Sequence, residues 1–82
     1  MTELLRDDAT VRAAASGWPA AVHTGSGWRR VTEVVARWRV ETDWWRTPAR
    51  RDYVRCLLDD GDCVELYLDL VAGSWHWARR CD

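Results

Sequence analysis

The stretch from Arg51 to Asp69 constrains the fold most, because it reads as a β hairpin with one register that sorts its residues. Asp59-Asp60-Gly61 is a turn by composition, and Gly61 suits the left-handed position of a short loop. A three-residue loop pairs Leu58 with Asp62 and puts Val54, Cys56, Leu58, Val64, Leu66 and Leu68 on one apolar face. The other face then carries Tyr53 opposite Tyr67 and Arg55 opposite Glu65, both favourable cross-strand pairs. A two-residue loop would set Cys56 against Glu65 and mix the faces. The three-residue register places Cys56 and Cys63 on opposite faces, so no disulfide is expected between them.

Further elements surround this hairpin. Val31, Val34, Val35 and Trp38 fit a helical stripe, but β-branched residues and the preceding Gly-rich turn at Thr24-Gly25-Ser26-Gly27 favour one long strand over Val31–Val40. Strict alternation sets Val34, Ala36, Trp38 and Val40 on one face and Glu33, Val35, Arg37 and Arg39 on the other, with Trp38 expected in the core. Ala20–His23 is a short extended segment, and Val71-Ala72-Gly73-Ser74 is a turn. Trp75–Arg80 is the last strand, with Trp75 and Trp77 sharing a face and His76 pointing away from them toward solvent. Residues 1–16 form an arm, a short helix or a frayed end, before the break at Gly17-Trp18-Pro19. Residues 17–82 are expected to form a single small all-β domain, an antiparallel barrel or strongly bent sheet of five to six short strands.

A chain of 82 residues has a thin core. It carries seven tryptophans and no phenylalanine or lysine, so a few large side chains must supply much of the burial. The net charge is −1, which gives no global pull toward nucleic acid or an anionic membrane. Charge is nonetheless uneven: residues 28–55 hold eight Arg against four acids, and residues 56–82 hold two against six. Cross-strand pairing of these segments is preferred to a face that meets a polyanion. The cysteines Cys56, Cys63 and Cys81 are odd in number and lack metal-site spacing, and no secretory or long apolar run is present. The expectation is a cytoplasmic protein with reduced thiols, no metal and no cofactor.

No nucleophile elbow, phosphate loop, zinc-protease or dinucleotide motif occurs, and Asp59, Asp60 and Asp62 lack the length and the closing Glu of an EF-hand. An enzyme is not expected. Binding is: Arg37 and Arg39 share the outer face of the long strand, Arg50, Arg51 and Arg55 follow on the next, and Trp44 and Trp45 sit in the loop between. Such a surface suits single-stranded or branched DNA, with bases on aromatics and phosphates on Arg. The same residue types also anchor protein interfaces. The Trp44-Trp45 pair either caps the core edge or faces a ligand.

The strings Ala36-Arg37-Trp38-Arg39, Trp44-Trp45, Arg51-Asp52-Tyr53-Val54-Arg55, Asp60-Gly61, Glu65-Leu66-Tyr67-Leu68-Asp69 and Gly73-Ser74-Trp75 resemble a domain family of unknown function from GC-rich, chiefly actinobacterial genomes. The resemblance spans roughly residues 28–77. Members are often encoded beside a Y-family translesion polymerase and a RecA-like accessory protein. The resemblance implies an all-β fold, a DNA-repair or translesion context and such proteins as partners; it implies no catalytic residue.

Overall fold

A computed structural model describes residues 8–25, 27–42 and 49–81. The fold is all-β. Six strands, β1 (Val11–Ala13), β2 (Pro19–Thr24), β3 (Gly27–Thr42), β4 (Ala49–Leu58), β5 (Cys63–Asp69) and β6 (Ser74–Arg80), lie antiparallel in chain order. The sheet is curled into a half-barrel. Its two ends meet at the segment before β1: Ala9 N–H donates to the Trp75 carbonyl (3.0 Å), and Thr10 accepts from His23 N–H (2.9 Å). The expected N-terminal helix or frayed arm is therefore corrected at Val11–Ala13, which pairs with β2 as a strand.

The β4–β5 hairpin has the register its turn dictates. Tyr53 faces Tyr67, Arg55 faces Glu65 and Cys56 faces Val64. Leu58 N–H donates to the Asp62 carbonyl (2.8 Å), and Gly61 has φ 92°, a conformation that a side chain would strain. The inner face carries the core: Val22, Val54, Cys56, Leu58, Val64 and Leu66, with Trp18, Val31, Val34, Trp75 and Trp77 packed against it. Trp75 and Trp77 thus share the face expected of them.

The long strand β3 forms as expected, but its faces differ from strict alternation. Its ladder with β4 slips between Val31 and Glu33 and again between Val34 and Ala36. Each slip inserts one residue without a partner, as a β-bulge does. Val34, opposite buried Cys56, faces inward. After the second slip Ala36 lies opposite Arg55, Arg37 opposite buried Val54, and Trp38 opposite Tyr53. Trp38 and Val40 therefore face outward with Tyr53 and Arg51, while Arg37 and Arg39 face inward beyond the core. The core placement of Trp38 and the outer placement of Arg37 and Arg39 are both corrected by this extra residue.

Two further expectations change. Cys63 and Cys81 form a disulfide across the end of the β5–β6 pair, so the thiols are not all reduced; Cys56 alone is free, and it is buried. His76 does not point to solvent. Its ring stacks on Tyr67 (centroids 5.0 Å apart), and its side chain is 16% exposed.

Candidate interaction surface

The outer face is organised by one row of rings. Trp38, Tyr53, Tyr67 and His76 come from β3, β4, β5 and β6 at matched positions of the ladders. Successive centroids are 5.4, 5.2 and 5.0 Å apart, and Trp38 and Tyr53 lie within 6° of parallel. The rings stand side by side across the strands, so the inner members spend their faces on one another. The row closes at His76, whose Nδ1 lies 3.4 Å from Asp8 Oδ1 and whose Nε2 lies 2.9 Å from Ser74 Oγ. It ends at the other side on Trp38, which is 39% exposed.

The arginines divide. Arg51 and Arg55 are on the outer face; Arg37, Arg39 and Arg50 are on the inner side, Arg50 opposite Glu41. The convergence expected of Arg37, Arg39, Arg50, Arg51 and Arg55 does not occur. Trp44 and Trp45 lie outside the described residues.

Most guanidiniums are spent within the sheet. Arg55 and Arg79 both bond Glu65, at 2.7 Å to Oε2 and 3.0 Å to Oε1. The Arg55 hydrogen bond is the main force holding the Glu65 carboxyl below its usual range; burial opposes it and Arg79 adds to it. Arg39 grips Asp52 with two bonds, at 2.6 and 3.1 Å. Arg29 meets Asp60 at 3.3 Å, joining the basic middle of the chain to its acidic end. Arg51 donates to Tyr53 Oη (3.4 Å) and covers the Tyr67 ring at 4.5 Å. Arg37 covers the Trp18 ring at 4.6 Å. Among the described residues Arg37 and Arg50 have no carboxylate partner.

Asp8, His76 and Ser74 have the atom order of a hydrolytic triad, since Nδ1 meets the carboxylate and Nε2 the hydroxyl. Acyl transfer also needs a cleft for the substrate and donors for an oxyanion. Cavities lined by described residues open elsewhere, and Ser74 sits on a regular strand. The trio ties the N-terminal segment to β6. Among the described residues no cluster of His, Cys, Asp and Glu can hold a metal ion, and no helix is long and apolar enough to cross a membrane.

No protein family, curated protein or solved structure matches the chain. The surface must be read from its own chemistry.

That chemistry is concentrated on the far half of β3. Strand β2 pairs with β3 only from Gly27 to Arg30. Trp18, just before β2, stands beneath Arg37, and a groove of about 300 Å³ lined by Trp18, Val34, Val35, Ala36 and Arg37 separates the two strands there. Among the described residues no strand pairs with the free side of Val31–Thr42. That edge carries Val35, Trp38 and Val40, which are 42%, 39% and 37% exposed. Sequence reasoning missed this edge. The length of the Val31–Val40 run was legible, but nothing in it marked where β2 would end.

Proposed function

We propose that the protein is a non-enzymatic accessory module that docks another protein on the far half of β3. One observation carries the reading: a strand edge that is unpaired among the described residues and that also exposes Val35, Trp38 and Val40. A bare edge is a template for pairing with another chain. Main-chain hydrogen bonds along an added strand supply affinity, and alternate side chains supply specificity. In the repair or translesion setting that the family resemblance implies, the partner is a Y-family polymerase or a RecA-like protein, met in the cytoplasm.

Single-stranded or branched DNA is the second reading. It is favoured by Trp38, which ends a stacked row at the open side of the sheet. It is disfavoured by the carboxylates already bound to Arg39, Arg55 and Arg79. Salt separates the two readings, because phosphate contacts release counterions and an apolar strand interface does not. Tryptophan fluorescence is titrated with a short single-stranded DNA and with the polymerase or RecA-like partner, at low and moderate salt. The proposal expects a saturating change with the protein partner that survives salt and is lost in Trp38→Ala. Saturation by DNA alone, weakening steeply with salt, would replace it with the second reading.

A further inference from the structure

We infer that the far half of β3 pairs with the same strand of a second copy of this chain, antiparallel about a two-fold axis at Arg39. The inference rests on the reading of β3 as a docking edge and goes beyond it: a second copy occupies the edge in the free protein, and the polymerase or RecA-like partner takes its place.

Two copies of this edge are complementary in that register. In an antiparallel pair centred on Arg39, Trp38 of each copy faces Val40 of the other, and Arg37 of each faces Glu41 of the other. The bulge at Val35 makes these pairs fall on the correct sides. Trp38 and Val40 are both outward, and both are among the exposed large apolar residues. Arg37 and Glu41 are both inward, opposite Val54 and Arg50 of their own chain. Aromatic–aliphatic and opposite-charge pairs directly across a ladder are the favourable ones. Each occurs twice, as an isologous contact requires.

The single like-charge contact is Arg39 against Arg39 on the axis. Each of these guanidiniums is held by Asp52 of its own chain through two bonds, so the pair meets with its charge already compensated. All seven residues from Ala36 to Thr42 find partners inside the described strand. Shifting the axis to Trp38 would set Arg37 against Arg39 in both halves. Shifting it to Val40 would leave Trp38 opposite Thr42. The Arg39 axis alone buries the two exposed apolar residues against each other. It would join the two four-ring rows through Trp38–Val40 contacts into one continuous outer face.

The test is charge exchange, read by sedimentation equilibrium on the full chain, with circular dichroism confirming that each variant is folded. The wild type is expected to be dimeric. Arg37→Glu sets Glu against Glu41 of the other copy, and Glu41→Arg sets Arg against Arg37, so each single variant should weaken dimerisation by about tenfold or more. Mixing the two variants should restore a dimer, because every inner pair is then of opposite charge. That rescue depends on the Arg39 register and does not follow from a general loss of folding. A wild type that stays monomeric across the accessible concentrations, or a mixture that remains as monomeric as its components, overturns the inference. A monomer that still binds the polymerase or RecA-like partner in a Trp38-dependent way would sink self-pairing while leaving the docking edge standing. A monomer that binds neither would sink both.

Discussion

Trp38 lies flat against Tyr53 across the β3–β4 ladder, with ring centroids 5.4 Å apart and planes 6° from parallel. This contact exists because β3 holds one residue more than its partner between Val34 and Ala36. Without that residue's slip the indole would face the core and Arg37 would face out. The bulge therefore decides which chemistry each face of the half-barrel presents.

An indole stacked on the outer face is worth less to the fold than one in the core. Trp38→Ala should cost about 1–2 kcal/mol, the scale of an aromatic pair with partial burial. Loss of a core aromatic costs ~3–5 kcal/mol. Urea denaturation of the variant decides between the two placements.

The core itself should respond in the usual way. Leu66 is fully buried among Val22, Val54, Cys56 and Val64, so Leu66→Ala should cost about 2–5 kcal/mol. Val71, in the β5–β6 turn, is 70% exposed, and Val71→Ala should stay within about 0.5 kcal/mol of wild type. Thermal melts of the two variants side by side test the assignment of inner face and turn.

Glu65 links stability to pH. Its folded pKa is depressed, chiefly by the Arg55 hydrogen bond. The ionised carboxylate therefore stabilises the fold fully above its unfolded value, about 4.3, and the contribution is lost as pH falls through the lower folded value. Glu65→Gln should be less stable than wild type at neutral pH. The gap should stay constant down to about pH 5 and close in more acid solution. A gap that persists unchanged in acid would mean the paired charge is not what Glu65 contributes.

The three cysteines should separate by accessibility. Burial pushes the Cys56 thiol up to about 11, and it is the free cysteine of the fold. A thiol reagent should label nothing in the native oxidised protein, Cys56 alone after denaturation, and all three after denaturation with reductant. The Cys63–Cys81 bond closes a loop of sequence separation 18, and replacing both cysteines with Ser should cost about 3 kcal/mol. In a reducing cytoplasm the fold would have to hold without that contribution.

What could be seen in the sequence follows from how local each feature is. The β4–β5 register was legible because a turn of fixed length dictates the facing of every residue beside it, and Tyr53–Tyr67 and Arg55–Glu65 fell out of that count. Pairing of the basic middle with the acidic end, as in Arg29–Asp60, was legible from charge alone. The bulge at Val35 was not, since no glycine or other marked residue sits there to signal an extra position. Asp8 against His76 was hidden because it is set by how far the whole sheet curls, and Cys63 against Cys81 because it depends on the slip of the β5–β6 ladder between Glu65 and Leu66, which no marked residue signals. The faces of Arg37 and Arg39 were lost with the bulge.

The most direct test of the docking edge is backbone amide hydrogen exchange along β3, followed from dilute to concentrated protein. The account predicts added protection within Ala36–Thr42 that persists at moderate salt, and none between Gly27 and Arg30, where β2 already occupies the edge. Unchanged exchange over Ala36–Thr42, or protection appearing only elsewhere on the sheet, would contradict it.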